Sequence, residues 1–267
     1  MSKFEGLLLV SDFDGTLVNS SHQVSKENIK AINDFARNGG LFCGATGRTQ
    51  FNVRPYLKGL PINCPWILYN GACLYDFKEN KVKALIPVRK DPLRDILKKV
   101  MTLIPDICIH LYTEDRLYLI NPSGIKDMTL IKEGQEFVFR ELDAITEPWI
   151  KAIFHAENQV LQEVFGFIKA LDQAQHYHVF FSIGTYLEVT HGQVSKGFAL
   201  DLLKAEFKGR IRKVIAIGDY LNDLEMLQRA DIKAAPANAH PEIKRYAKMI
   251  TAHHDHHALA DLIARLN

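Results

Sequence analysis

The sequence predicts an α/β protein built on a mainly parallel sheet, interrupted by an inserted α+β module. Three observations carry this reading. From the start to about Leu74, and again from Lys196, short apolar runs alternate with helical patterns, which implies a parallel sheet with helices on both faces. Between roughly Val82 and Val189 the pattern changes to helices beside hairpin-like strands. Acidic or glycine-rich turns follow several of the core runs, and an open α/β sheet forms its site at those strand ends. The boundaries read as 1–82 and 190–267 for a discontinuous core and 83–189 for the insert.

In the core, the apolar run Gly6–Val10 suits a strand buried on both faces. A helix is expected from about Ser25, with Ile29, Ile32 and Phe35 at helical spacing, and Gly39-Gly40 closes it. Strand Leu41–Ala45, a short helix around Gln50–Leu57 and the run Trp66–Tyr69 follow. The second half reads as helix Gly197–Phe207, strand Val214–Ile217, helix Asp223–Arg229 and strand Ile232–Ala235. A helix after Pro241, strand Met249–Thr251 and helix Ala258–Leu266 complete it. In the insert, Asp91-Pro92 is an N-cap followed by proline, and Leu93, Ile96, Leu97, Val100, Met101 and Ile104 fall on one face. Strands are expected at Ile107–Tyr112 and Leu117–Ile120. A second round has strand Ile150–His155, helix Gln159–Leu171 and strands Val179–Ile183 and Tyr186–Val189.

Composition excludes several classes. The chain has 267 residues, 47% hydrophobic and 24% charged, with a net charge of +2. These are ordinary values for a globular protein with a substantial core. Basic residues are scattered among acids, so no nucleic-acid partner is expected. Apolar runs fall far short of a membrane span, and the first residues carry no secretory signal. Cys43, Cys64, Cys73 and Cys108 lack Cys-x-x-Cys spacing and read as reduced structural thiols. A cytoplasmic location is expected.

The chemistry concentrates in four segments. Asp12-Phe13-Asp14-Gly15-Thr16 ends the first strand, and Asp12 and Asp14 point the same way if extended geometry persists. Two such carboxylates repel unless a cation sits between them, and oxygen ligands suit Mg2+. The plainer alternative is a pair of solvated turn acids. Thr46-Gly47-Arg48 ends the second strand, Ser195-Lys196-Gly197 opens a helix, and Gly218-Asp219-Tyr220-Leu221-Asn222-Asp223 follows a fourth strand.

In order and spacing the set resembles the haloacid dehalogenase superfamily of phosphohydrolases over nearly the whole chain. The position and size of the insert resemble the Cof-like subfamily with its type IIB cap. The resemblance implies a Rossmann-like three-layer core with an inserted cap that closes over the site and sets specificity. It implies a magnesium-dependent phosphatase for small phosphorylated metabolites, sugar phosphates foremost, acting through an aspartyl-phosphate on Asp12. Asp14 would serve as acid and base. Mg2+ would bind Asp12, the Asp14 main-chain carbonyl and Asp219, while Asp223 would hold a metal-bound water or orient its neighbours. Thr46, Gly47, Lys196 and Asn222 would meet the phosphate.

Other residues stay open between roles. Asp223 equally suits a helix cap, and Arg48 suits either substrate or a pairing with an acid on the cap. Asn70-Gly71-Ala72 looks like the family's turn near the substrate entrance, but Asn-Gly is also a common turn pair. His110, Tyr112, Arg116, Tyr118, Phe181, Tyr186 and Glu188 could contact a sugar or pack the insert. For His253-His254-Asp255-His256-His257, surface solvation is preferred over a metal site, although His253 and His257 would share a face on a helix. Ala235-Pro236-Ala237-Asn238-Ala239 departs from the family pattern, which commonly has a glycine just before this asparagine, and Pro236 restricts the loop. A phosphomutase and a non-catalytic sugar-phosphate-binding regulator are the alternative functions, and a monomer or homodimer is expected.

Overall fold

The computed structural model describes residues 2–121, 127, 130 and 135–266. The chain divides into two compact units, residues 1–84 with 195–267 and residues 85–194.

The first unit is built from β1 (Leu7–Asp12), α1 (Lys26–Arg37), β2 (Leu41–Ala45), α2 (Gln50–Val53), β3 (Trp66–Leu68), β4 (Cys73–Asp76) and β5 (Lys81–Leu85). Its elements from 195–267 are taken up after those of the second unit. The second unit contains α3 (Lys90–Leu103), β6 (Cys108–Tyr112), β7 (Leu117–Leu119), β8 (Val138–Phe139), β9 (Lys151–His155), α4 (Asn158–Lys169), β10 (Tyr177–Ile183) and β11 (Tyr186–His191). The first unit resumes with α5 (Lys196–Glu206), β12 (Lys213–Ile217), α6 (Leu224–Gln228), β13 (Ile232–Pro236), α7 (Pro241–Tyr246), β14 (Met249–Thr251) and α8 (Ala258–Ala264).

Among the described residues, the first unit holds one sheet in the order β14-β13-β12-β1-β2-β3-β4-β5. The pairs from β14 to β3 are parallel. Strand order runs outward in both directions from β1 and β12, so a topological switch point lies between them, at the carboxyl ends that carry the acidic loops. The strands are continuous apolar runs because both faces are covered: Leu8, Leu9, Val10, Phe42, Ile215 and Ile217 are fully buried. Ser25 caps α1 by accepting from the Asn28 N–H at 3.2 Å, which is why that helix starts where its sequence predicts.

The second unit has a sheet in the order β10-β11-β9-β6-β7-β8. One face packs on the two helices: Ile109, Leu111, Ala152, Phe154, Leu187 and Val189 join Leu93, Ile96, Leu97, Val100, Leu161, Val164 and Ile168 in one apolar core. Strand alternation therefore sends His110, Tyr112, Lys151, His155, Tyr186 and Glu188 to the opposite face. Among the residues left open in the sequence, Phe181 packs against the core instead. The Tyr118 ring joins that core too, and its hydroxyl donates to Glu147 at 2.7 Å.

Three expectations need correction. The helix expected at Asp91-Pro92 begins two residues earlier, at Lys90, with Arg89 as its N-cap residue. Asp91 pairs with Arg94 at 3.0 Å instead of capping, and Pro92 is tolerated because first-turn N–H groups have no helical partner. The sheet extends through β4 and β5, and β3 and β4 form an antiparallel hairpin where the sequence showed only one apolar run. His253 and His257 share no helix, because His254–His256 is a single 3-10 turn and His257 has φ 64°. No helix among the described residues is long and apolar enough to cross a membrane.

Candidate active site

The site forms where β1, β2, β3, β12 and the start of α5 converge. β1 delivers Asp12 as its last residue, and the side chain is buried at 6% exposure. Phe13 turns inward, fully buried, with its ring 6.1 Å from Trp66 and 5.1 Å from Tyr56. That anchor ends the strand, so extended geometry does not persist to Asp14. Asp14 is exposed, and Arg48 clamps it with two bonds of 2.9 and 2.7 Å. The Arg48 guanidinium also lies 5.4 Å from the Phe13 ring centre and 5.3 Å from that of Tyr56. The acid that Arg48 pairs with is Asp14 of its own unit, where the sequence suggested one on the cap. Gly15 has φ +79°, and a Cβ there would stand 2.6 Å from Asp219 Oδ2. Only glycine lets this loop turn against the second acidic loop.

Lys196 is the centre of the charge arrangement. Ser195 caps α5 by accepting from the Phe198 N–H at 3.0 Å, which places Lys196 as the first helical residue, 1% exposed. Its Nζ donates to Asp12 Oδ1 at 2.5 Å and to Asp223 Oδ1 at 2.6 Å. Burial opposes that ammonium, but the two carboxylates outweigh it and hold its pKa above the usual lysine value. Asp223 Oδ2 accepts from the Asp219 and Tyr220 N–H groups at 2.9 and 3.1 Å. Its carboxylate thus ties the acidic loop together and caps no part of α6. Asp219 accepts from the Thr16 hydroxyl at 3.1 Å.

The acids exceed the cations here. Asp12, Asp219 and Asp223 present ligand oxygens within 4.8 Å of one another. Burial first, then the Asp223 charge, raises the pKa of Asp12; burial also raises that of Asp219. Asp12 Oδ2 is buried and accepts no hydrogen bond among the described residues. An orphaned carboxylate oxygen beside a second carboxylate fits a hard divalent cation held by oxygen ligands. Asp12 and Asp219 retain the capacity to ligate, whereas both Asp223 oxygens are engaged.

Thr46 is buried, and its Oγ1 accepts from the Arg48 N–H at 3.1 Å, leaving the hydroxyl hydrogen able to donate. The hairpin turn brings Asn70 to the same edge: its N–H donates to the Thr46 carbonyl at 2.9 Å, and Asn222 Nδ2 donates to its Oδ1 at 3.2 Å. Gly47 passes close beneath it, since a Cβ there would stand 2.9 Å from Asn70 Nδ2. Asn70 and Asn222 therefore join the cluster alongside Asp12, Thr46, Lys196, Asp219 and Asp223.

Sequence reading missed two supports. Thr16 is fully buried on Asp219, and its place in the Asp-Gly-Thr turn was the available signal. Asn238 donates to the Gly15 carbonyl at 2.7 Å and accepts from the His254 N–H at 3.0 Å, a link no local pattern reveals. The histidine loop thus braces the loop that follows β1, with Ser20 donating to Asp255 through both its N–H and its hydroxyl. His253, His254 and Asp255 also group closely enough to hold an ion.

Comparison with known proteins fits this geometry. Phosphatase YwpJ of Bacillus subtilis is 26% identical over 287 residues, covering 97% of this chain and 99% of that one. A Thermotoga maritima protein of known structure superposes with a TM-score of 0.87 at 23% identity, each chain 97% covered. The sugar phosphatase BT4131, of subclass IIB, has a TM-score of 0.78 at 18% identity over 96% of this chain and 97% of its own. The model of the haloacid dehalogenase-like hydrolases matches residues 9–263, and with the acidic loops, the buried lysine and the strand order already described, this chain belongs to that family.

Proposed function

We propose that the protein is a phosphatase hydrolysing phosphate monoesters of small metabolites, sugar phosphates foremost, with Mg2+ as cofactor. The carrying observation is the pairing of Asp12 Oδ1 with Lys196 while Asp12 Oδ2 stays buried and without a donor. A carboxylate held through one oxygen, with no donor occupying the other, suits a nucleophile. The phosphatase name of the Bacillus relative and the sugar phosphatase name of the subclass IIB fold neighbour support the substrate class.

In this reading one carboxylate oxygen of Asp12 forms a bond to phosphorus as the ester oxygen departs, and Asp14 gives the departing ester oxygen its proton. Water then attacks the phosphoryl-Asp12, passing a proton to Asp14, and phosphate leaves with the Asp12 carboxylate restored. Arg48 orients Asp14 through its two bonds. Lys196, the Thr46 hydroxyl, Gly47 and Asn222 meet the phosphate oxygens, and Asn70 lines the approach. Asp12, Asp219 and the Asp14 carbonyl would hold Mg2+, which supplies charge neutralisation of the phosphate. Asp223 acts through Lys196 and the acidic loop. The inserted unit is assigned to substrate specificity, and four free, buried cysteines suit a reducing cytoplasm.

The test is phosphate release from a panel of phosphorylated metabolites with Mg2+ and with EDTA, for the wild type and Asp12→Asn. Magnesium-dependent release that falls at least ~10³-fold in the variant is expected. Undiminished release by Asp12→Asn removes the assigned nucleophile. A requirement for a bisphosphate activator would favour the mutase, and tight binding without turnover the regulator.

A further inference from the structure

The polar face of the second unit's sheet carries a cluster that phosphate chemistry does not use. His110 on β6 and His155 on β9 are diagonal neighbours on that face, since His110 pairs with Ile153 and Cys108 with His155. Asp127 reaches the same point, and its Oδ2 lies 3.4 Å from His110 Nε2 and 3.4 Å from His155 Nδ1. Tyr186 on β11 donates its hydroxyl to that same oxygen. The three donors lie within 4.8 Å of one another.

We propose that His110, His155 and Asp127 form a second metal site, for a borderline divalent transition cation of the Zn2+ type, built inside the inserted unit. His110 has zero exposure, yet among the described residues neither ring nitrogen has a hydrogen-bond partner, and His155 Nδ1 is likewise buried and without one. Leaving such groups unpaired costs about 1–3 kcal/mol each. A hydrogen-bonded triad would draw the rings within ~3.0 Å of the carboxylate. Tetrahedral ligands ~2.0–2.1 Å from a Zn2+ ion stand roughly 3.3–3.4 Å from one another, which is the separation found between Asp127 Oδ2 and each of the two rings. Burial drives His110 down to about 3 and also lowers His155, so both rings are neutral and able to ligate near neutral pH.

Two imidazoles and one carboxylate differ in kind from the all-oxygen cluster around Asp12, so the two sites select different ions. Tyr186 is a positioning residue, fixing the Asp127 carboxylate. The neighbouring Lys151 is matched by Glu188 at 2.8 Å, so its charge is internally balanced. The surface group of His253, His254 and Asp255 is the weaker candidate, because His254 Nε2 and Asp255 are engaged with Ser20.

The test is equilibrium dialysis of the full chain against Zn2+ in excess Mg2+, with metal counted per chain and folding checked by circular dichroism. One tightly held Zn2+ is expected in the wild type and in the His253→Gln/His254→Gln double variant. It should be lost in His110→Gln and in His155→Gln, and bound ~10–100-fold more weakly in Tyr186→Phe. Retention by both His110→Gln and His155→Gln, loss in the surface double variant, or no Zn2+ in the wild type overturns the proposal. Should the buried variants unfold, Co2+ added to the unaltered protein decides. Intense visible bands of a four-coordinate nitrogen-ligated ion support the site, and only weak octahedral bands overturn it. Phosphate release is assayed separately, so failure here leaves the phosphatase reading untouched.

Discussion

One ammonium serves two buried carboxylates at the centre of the first unit, and its removal has a definite consequence. Lys196→Met would leave Asp12 and Asp223 facing each other without a cation. Breaking a buried ion pair by deleting one partner costs about 3–5 kcal/mol. We expect that loss in urea unfolding in EDTA, together with abolished phosphate release. Saturating Mg2+ should restore part of the stability and none of the turnover. A variant as stable as the wild type in EDTA would show that the acids share their charge some other way. At this scale the sequence was most legible where residue type and chemistry coincide, as for Asp12, Lys196 and Asp219. It was least legible for Asp14 and Arg48. Strand alternation placed Asp14 beside Asp12, whereas Phe13, sunk against Trp66 and Tyr56, turns the chain and hands Asp14 to Arg48.

Among the elements, the β3–β4 turn matters beyond its length. Tyr69, Asn70 and Gly71 all have positive φ, and a Cβ on Gly71 would stand 2.1 Å from the Ser195 carbonyl oxygen. The hairpin tip therefore presses on the peptide that caps α5 and presents Lys196. Gly71→Ala adds left-handed strain and a backbone clash, a cost of roughly 1–3 kcal/mol from the strain alone. Turnover should fall with it, because α5 must shift. The urea midpoint and kcat measure the two effects, and an unchanged kcat would separate the turn from the lysine. This hairpin was missed although Asn70-Gly71 signalled a turn, because β3 is only three residues long and β4 behind it only four. The helices were legible because caps and apolar spacing are local, as at Ser25 and Ser195. The diagonal meeting of His110 and His155, by contrast, depends on register between strands more than forty residues apart in sequence.

Each unit carries apolar core residues of its own, so unfolding need not be a single transition. Nature has supplied a reporter for each: Trp66 lies in the first unit and Trp149 in the second, both fully buried. In single-tryptophan variants, Mg2+ at ~100 times its dissociation constant should stabilise the Trp66 transition by about 2.7 kcal/mol. The Trp149 transition should stay where it is. Equal shifts would mean that the units unfold as one or that Mg2+ is held elsewhere. The seam between the units also bears on engineering. The second of its two chain crossings falls between Val194 and Ser195, so a single residue separates the returning insert from Lys196. A chimaera that exchanges inserts with a splice at that seam would cut into the helix cap supporting the lysine. Joints set further back, in the turn after β11, would let a foreign insert be carried while the Ser195 cap and its hold on Lys196 are inherited intact.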